Sequence, residues 1–267
     1  LGPRIVHVSV NELYQAAQDL DASQTKAFVE QLKRYFKIEV SERSLEVSAR
    51  ACLALDTVIE KHDLNAVAMQ DLDEEMHRLL KTRPGIYTES MSRRNVAVGM
   101  EGDVHATLGM YILQGLTGKP AMFGEIFNYD ITDNTLAVAH VGVLNTSLAK
   151  DLSKVRIISD CEYKAFDEVE GAYTYFTCKE GIVTLLSIVD EGHSYRMITS
   201  VGESIPTEGK LEGYAHMVVK IRSSVKHFFE TAMKFGANQH WAVVHGDVTN
   251  VLEKLARLLG IEITTIT

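Results

Sequence analysis

Residues 95–142 predict a β-strand, an α-helix and a second β-strand, and each strand carries an acidic residue at or near its end. The apolar run NVAVG stops at Gly99, and Glu101 follows two positions later. Apolar residues then recur at helical spacing until Gly118, where the glycine and a nearby proline end the helix. The second strand is AMFGEIF, which contains Glu125.

A strand–helix–strand crossover of this length predicts that the two strands are neighbours and run parallel. Glu101 and Glu125 would then face one crevice at the carboxyl ends of the strands, where α/β proteins place their ligands. Two carboxylates held close together at low dielectric do not both remain ionised unless a cation lies between them. The stretch therefore predicts metal-ion or acid–base chemistry.

The composition and charge of the chain argue against nucleic-acid and membrane partners. Hydrophobic residues make up 46% and charged residues 24% of the 267 positions, the balance of an ordinary globular protein. The formal net charge is −9 and no basic run is longer than two residues, which argues against nucleic acid, because phosphate neutralisation needs clustered Lys and Arg. No apolar run approaches the roughly 20 residues that span a bilayer, so we expect no membrane partner.

The cysteines and the start of the chain suggest where the protein works. Cys52, Cys161 and Cys178 lie far apart and lack metal-ligand spacing. They predict buried or free thiols in a reducing compartment, and hence a cytoplasmic location. The chain opens on LGPRIVHV, which has no Met and no signal-peptide pattern, so we expect a fragment or a processed product.

The order of the elements predicts an α/β fold. Strands are predicted over residues 5–10 and 66–69, with Asn11 capping a short helix after the first of them. Further amphipathic helices are predicted over residues 23–36, from Ser41 onward, and over residues 74–81. Because strand and helix alternate, we expect a parallel, Rossmann-like α/β domain over residues 1–135 that carries both acids.

After Asp130 the pattern changes to short β-branched or alternating runs separated by Gly, Asp or Asn. Such closely spaced strands predict a mainly antiparallel sheet, either a sandwich or a small barrel. A helix over residues 225–235, the strand WAVVHG, a helix over residues 248–259 and the strand IEITTI follow. We therefore expect a second, mainly antiparallel β-barrel-like C-terminal domain over residues 136–267.

The acids near the first strand and helix have competing interpretations. Glu125 lies within an apolar strand, where an unpaired buried acid would cost several kcal/mol, so it needs a partner, a cation or an exposed strand face. Glu101, taken alone, is also compatible with a solvated loop. Asp103 and His105 are interpreted as structural, because Asp103 is placed to cap the helix and His105 lies in its first turn.

Two histidines at strand ends are further candidates for metal ligands. His140 ends the strand TLAVAH and is equally compatible with a ligand and with a polar tip leaving the core. His240 enters a strand beside the only Trp, which suits a metal ligand, a sugar-stacking wall or a core histidine. Two carboxylates and a His without thiolates favour Mn²⁺, Mg²⁺ or Co²⁺ over structural zinc. P-loop, dinucleotide-binding and esterase motifs do not occur in the sequence.

The segment MEGDVHATLGMYILQGLTGKPAMFGEIFNYD, followed by NTLAVAHVG, resembles the L-fucose isomerase / L-arabinose isomerase family. The closing segment NQHWAVVHGDVTNVLEKLARLLGIEITTI resembles the end of the same family, where a His just before a strand completes the metal site. The resemblance runs over nearly the whole chain and is weakest over residues 1–60 and 145–210.

The resemblance implies roles for individual residues. Glu101 and Glu125 match the two metal-binding carboxylates, which also move the proton. His240 matches the His ligand from the C-terminal domain, and His140 matches a fourth ligand of the arabinose-isomerase branch. Three further positions fall near sugar contacts of the family: Gln70, Asn238 and Trp241.

The resemblance also implies an aldose–ketose isomerase that acts on a pentose or 6-deoxyhexose, such as arabinose or fucose, through a cis-enediol. Mn²⁺, or Mg²⁺ or Co²⁺ in its place, would polarise the substrate carbonyl. The family implies a homo-oligomer, a trimer or hexamer, in which an N-terminal domain that we expect to be missing here closes the site. The alternative is a non-catalytic carbohydrate-binding or regulatory protein that retains the fold.

Overall fold

The computed structural model describes residues 3–162 and 169–267. Within them, the chain forms eight α-helices and twelve β-strands, and seven of the strands follow α6 without an intervening α-helix. The helices are α1 (Val10–Asp19), α2 (Ala22–Tyr35), α3 (Glu42–His62), α4 (Glu74–Leu80), α5 (Glu89–Arg94), α6 (Val104–Thr117), α7 (Val225–Lys234) and α8 (Thr249–Leu259). The strands are β1 (Lys37–Ile38), β2 (Ala66–Ala68), β3 (Ala97–Gly99), β4 (Met122–Asp130), β5 (Thr135–His140), β6 (Arg156–Ile158), β7 (Tyr173–Tyr175), β8 (Gly181–Asp190), β9 (Tyr195–Ile205), β10 (Ala215–Ile221), β11 (His240–His245) and β12 (Glu262–Ile266).

Local capping chemistry decides where the first helices begin. The predicted strand over residues 5–10 is wrong, because residues 3–9 have no regular structure and α1 already begins at Val10. Ser9, rather than the expected Asn11, caps α1, since its hydroxyl accepts the backbone N–H of Glu12. The predicted start of α3 is confirmed, with Ser41 accepting the backbone N–H of Ser44.

The predicted pairing of the strands on either side of α6 is wrong. β3 pairs in parallel with β2 in a separate two-stranded sheet. β4 lies in the large sheet, between β5 and β11, and is antiparallel to both. Only residues 131–134 separate β4 from β5. Because a turn this short brings the two strands together, β4 pairs with β5 rather than with β3. Glu101 and Glu125 therefore do not come from adjacent parallel strands.

The large sheet has seven strands in the order β10-β5-β4-β11-β8-β9-β12. β10 also pairs with the second half of β9, so six of these strands form a closed ring of pairings. β12 adds to the first half of β9 in parallel, and the other pairings in this sheet are antiparallel. The expected α/β class is confirmed, with both parallel and antiparallel sheets present, whereas a barrel-like second domain stays a prediction.

The strands cross the expected boundary between the two halves of the chain. β6 and β7 join β1 in a three-stranded sheet, although they follow β5 in sequence. Helix α6 packs against β2 and β3 and also against β8 and β11. It therefore holds the end of the small parallel sheet against the large sheet. A division into domains at residue 135 stays a prediction.

Two sequence expectations concern the environment of the chain. No helix among the described residues is long and apolar enough to cross a membrane. Cys52 and Cys178 are buried, Cys161 is exposed, and all three are free thiols. Burial raises the pKa of the Cys52 and Cys178 thiols to about 12, so both stay protonated at neutral pH.

Candidate metal centre

Glu101 lies in a tight turn between β3 and α6. The turn closes through a hydrogen bond from the Asp103 N–H to the Met100 carbonyl, 3.0 Å long. Its two central residues, Glu101 and Gly102, have φ angles of +57° and +67°. Glycine adopts this left-handed region freely, whereas for Glu101 it costs about 1–2 kcal/mol. A left-handed glutamate at a strand end is the kind of strain that functional sites retain.

His140 is the last residue of β5 and is only 3% exposed. Its Nδ1 lies 2.6 Å from the carbonyl oxygen of Val141, so Nδ1 carries the proton and donates it. Burial lowers the pKa of His140 to about 4; the neighbouring His240 and Arg83 lower it further, and the hydrogen bond to Val141 opposes the change. The imidazole is therefore neutral at physiological pH, with a free lone pair on Nε2 that can bind a metal ion.

His240 begins β11 and is 4% exposed. Its Nδ1 lies 3.0 Å from Oδ2 of Asp103, while Oδ1 of the same carboxylate accepts the backbone N–H of Ala106 and caps α6. The Asp103 carboxylate thus holds the proton on Nδ1 of His240. The Nε2 atom is buried and has no hydrogen-bond partner in the described part of the chain, which is costly for a polar atom.

Three side chains converge on one point: Glu101, His140 and His240 offer ligand atoms that all lie within 4.8 Å of one another. Oε1 of Glu101 is 3.7 Å from Nε2 of His140, and Oε2 is 3.6 Å from Nε2 of His240. These separations are too long for good hydrogen bonds. Ligand atoms about 2.1 Å from a shared ion are roughly 3–4 Å apart, so the trio fits a divalent cation.

The surroundings of Glu101 favour a cation over a bare carboxylate. Burial raises the pKa of Glu101; the His240 ring opposes this, and the negative charges of Asp71, Glu125 and Glu162 add to it. Burial alone would also raise the pKa of Asp103. Its carboxylate accepts hydrogen bonds from the His240 ring and from the Ala106 N–H, however, and these lower the pKa of Asp103 overall. A divalent cation between these acids would relieve the repulsion at Glu101.

Glu125 is half-buried and lies directly opposite His240 in the β4–β11 ladder, although it is not part of the trio. Its Oε1 accepts a hydrogen bond of 2.5 Å from Nε2 of Gln239. Directly opposed residues of an antiparallel pair share a face of the sheet, so Glu125 and His240 lie on the same side. The pairing of β4 with β11 therefore brings Glu125 next to the site by a route that differs from the predicted one.

The predicted sugar-binding residues fall in different places. An open groove of about 410 Å³ lies over Glu101 and His240, and Asn238 lines it. Gln70 is exposed and lies beside Gly102, next to the groove. Trp241 is 2% exposed and packs in the core, its ring centroid 5.1 Å from that of Phe228. A sugar contact by Trp241 stays a prediction, and this burial does not favour it.

Asp103 has a role that sequence reasoning missed. The pattern predicted only the helix cap, which the structure confirms; the bond to His240 joins residues 137 positions apart. No local signal reports such a contact, although a carboxylate beside a metal-binding His is a common arrangement. Phe123 was missed as well: its ring lies 4.8 Å from that of His140 and 4.5 Å from that of His240, and supports both.

Comparison with known proteins identifies a family for the chain. Residues 120–262 match the family described as the L-arabinose isomerase C-terminal domain, which is more than half of the chain. The chain belongs to the L-arabinose isomerase family. The predicted membership is thereby confirmed for the C-terminal part, and the matched residues include Glu125, His140 and His240.

Relatives within and near this family are sugar isomerases. The chain is 21% identical to a sulfoquinovose isomerase of Alkalicoccus urumqiensis over 267 residues, which cover 99% of the chain and 59% of the relative. It is 26% identical to a sulfoquinovose isomerase of Priestia aryabhattai over 77% of the chain and 46% of the relative. It is 20% identical to the L-arabinose isomerase of Geobacillus stearothermophilus over 96% of the chain and 53% of the relative. The chain thus spans about half the length of these proteins.

Proposed function

We propose that the protein is, or forms part of, a divalent-metal-dependent aldose–ketose isomerase. The observation that carries the proposal is the buried Nε2 of His240, which has no partner in the described residues and faces the Glu101 carboxylate and His140. Two imidazoles with fixed orientations beside a carboxylate are a donor set for a cation. The names of the relatives, which are sugar isomerases, support the same reaction class.

Glu101, His140 and His240 would hold the ion, with Glu125 as a fourth ligand. Their oxygen and nitrogen atoms suit Mn²⁺, with Mg²⁺ or Co²⁺ as substitutes. When bound, such an ion polarises the substrate carbonyl and stabilises the negative charge that develops on its oxygen. Asp103 keeps the proton on Nδ1 of His240, which leaves the Nε2 lone pair free for the ion.

Glu101 and Glu125 are the groups that can move protons. Isomerisation takes the proton from C2 of the open-chain aldose and returns one to C1, through a cis-enediol. A base for the first step works best with a pKa near the working pH, and the raised pKa of Glu101 lies in that direction. Glu125 lies on the same face as His240 and accepts a hydrogen bond from Gln239, which lines the groove, and this supports Glu125 as the second carboxylate.

Asn238 and Gln70 are proposed to contact the hydroxyl groups of the sugar. Asn238 is fixed, because its side-chain amide donates to the carbonyl of Ile188 and its backbone N–H donates to Ser187. The Gln70 side chain lies next to Gly102, in the turn that contains Glu101. The substrate class is a pentose or a 6-deoxyhexose, or a sugar of the kinds named for the relatives.

The test uses the complete gene product with Mn²⁺ and three sugars deuterated at C2: L-arabinose, L-fucose and sulfoquinovose. We expect one of them to yield its ketose with loss of deuterium from C2, followed by NMR. Glu101→Gln and Glu125→Gln should lower the rate by about 10²-fold or more, whereas Glu203→Gln on the exposed side of β9 should not. Tight sugar binding without ketose or deuterium loss would favour the non-catalytic carbohydrate-binding alternative.

A further inference from the structure

A buried carboxylate lies directly behind Glu101. Asp71 follows β2, just as Glu101 follows β3, and these two strands pair in parallel with Ala68 opposite Gly99. Asp71 is completely buried, and its Oδ1 accepts the backbone N–H of Glu101 at 2.6 Å. The Asp71 carboxylate therefore binds the backbone of Glu101, the proposed metal ligand, and leaves the Glu101 side chain free.

The position of this hydrogen bond matters because Glu101 is held in a left-handed conformation. If the residue relaxed to an ordinary φ, its side chain would leave the direction of His140 and His240. The strand end contributes further bonds, since the Met69 N–H donates to the Gly99 carbonyl and the Gly102 N–H donates to the Met69 carbonyl. Among the residues that the structure describes, Asp71 is the group that binds the N–H of Glu101 itself.

Asp71 is itself fixed by a buried guanidinium. Nη1 of Arg83 donates to Oδ2 of Asp71 at 2.5 Å, and Nε and Nη2 donate to the two oxygens of Asp160 at 2.8 and 3.1 Å. Nη2 also lies 2.8 Å from Oε2 of Glu162. This fork-shaped arrangement leaves Asp71 only one orientation, because both of its oxygens have a fixed donor. It also ties the turn to the chain segment that follows β6.

We propose that Asp71, oriented by Arg83, is a positioning residue that aims the Glu101 carboxylate at the metal ion. The inference rests on the proposed function, since it concerns the same centre. Asp71 does not line the groove; it binds the backbone N–H of Glu101, and its negative charge also acts on the Glu101 carboxyl. Replacing it should loosen the ligand without removing any ligand atom.

The experiment measures Mn²⁺ affinity by calorimetry and the visible absorption of the Co²⁺ form, which reports ligand geometry, on the full chain. The first variant is Asp71→Asn, which keeps the size of the side chain but turns an amide N–H₂ toward either Glu101 or Arg83, both of which are donors. The second is Arg83→Lys, which keeps the charge but cannot bridge Asp71 and Asp160 together. Asp56→Asn, a buried aspartate on α3 bonded to Thr88, is the matched control.

We expect Asp71→Asn and Arg83→Lys to raise the Kd for Mn²⁺ by roughly 10- to 100-fold and to change the Co²⁺ spectrum, with Asp56→Asn unchanged in both. A folded Asp71→Asn protein with wild-type affinity and spectrum would overturn the positioning role while the proposed function stands. If Asp71→Asn does not fold, Arg83→Lys decides by the same readouts, and loss of fold in both would assign the network to stability alone. A wild-type chain without Mn²⁺ or Co²⁺ affinity would overturn the proposed function, and this role with it.

Discussion

Asp103 and His240 meet across 137 positions of sequence through a 3.0 Å contact between Oδ2 and Nδ1. The same carboxylate caps α6, so one aspartate fixes both a helix start and the tautomer of a proposed ligand. A carboxylate–imidazole pair of this kind orients the ring and makes Nε2 a better ligand. The pair therefore links the start of the strand–helix segment to the last strands of the large sheet.

Replacing Asp103 with Asn should weaken Mn²⁺ binding by roughly 10- to 100-fold. The amide can donate to Nδ1 of His240, which moves the imidazole proton to Nε2 and blocks the lone pair. Stability should change little, because Asn is as good a helix cap as Asp. Calorimetry and thermal denaturation measure the two effects. Asp21→Asn, at the cap of α2, is the matched control and should alter neither. Equal Mn²⁺ affinity in both variants would contradict the role of Asp103.

Replacing Glu125 with Gln should abolish detectable Mn²⁺ binding by calorimetry. The prediction depends on Glu125 leaving Gln239 for the ion, since its register opposite His240 already places it on the correct face. Glu203→Gln, on the exposed side of β9, controls for the loss of one negative charge. An unchanged Kd in the Glu125 variant would remove this residue from the ligand set and restrict the site to the trio.

The buried carboxyl group of Asp56 should make the free energy of unfolding depend on pH. Burial raises its pKa from 3.8 to about 6, the charge of Glu60 adds to the rise, and the hydrogen bond from Thr88 opposes it. A raised pKa means that the folded chain holds this proton more tightly than the unfolded chain, so its contribution to stability falls as the pH rises from about 4 to 6. Asp56→Asn should remove that decline. Above pH 7 the variant should be more stable by on the order of 2 kcal/mol.

Chemical denaturation at pH 4, 6 and 8 measures the effect of Asp56. Asn keeps an oxygen that can accept the hydroxyl of Thr88, so the packing of α3 on this residue is retained. Asp19→Asn, at an exposed position of α1, is the comparison for an aspartate that is not buried. Parallel pH profiles for wild type and Asp56→Asn would show that Asp56 ionises in the folded chain at no cost.

Gly142→Ala should destabilise the fold by about 1–3 kcal/mol. Gly142 has a φ of +101°, and an added Cβ would lie 2.3 Å from the terminal methyl of Met100, which is itself buried next to Glu101. Gly181→Ala separates the two causes, because Gly181 has a φ of +119° with nothing within 4 Å of an added Cβ. Denaturant unfolding should show the larger loss for Gly142, and equal losses would assign the cost to the backbone alone.

Helices with a clear apolar face were predictable from the sequence. The spacing of apolar residues and the capping residues located α6, α8 and the start of α3 to within a residue or two. The strand predicted over residues 5–10 failed because its β-branched residues have no neighbouring strand, and Ser9 starts a helix instead. The short helix α5 was missed, since its sequence, ESMSRR, has a single buried residue and little periodicity.

Strand pairing was the part that the sequence did not determine. A crossover through α6 predicted β3 beside β4, whereas β4 pairs with β5 and β11. Closely spaced strands after Asp130 predicted an antiparallel sandwich or small barrel built from the second half of the chain, whereas β6 and β7 join β1 of the first half. Such pairings depend on contacts between distant segments, and the alternation of side chains along one strand carries no information about its neighbour.

The sequence by itself determined that acids and histidines stand at the ends of buried strands, because strand ends follow from local hydrophobic patterns. It placed Glu101 after β3, His140 at the end of β5 and His240 at the start of β11. Only the tertiary structure decided that these ends meet. Helix α6 packs on both sheets, the β4–β11 ladder sets Glu125 opposite His240, and buried Asp71 and Asp103 fix the backbone of one ligand and the ring of another. These are long-range contacts, whose free energy appears only once the chain is folded.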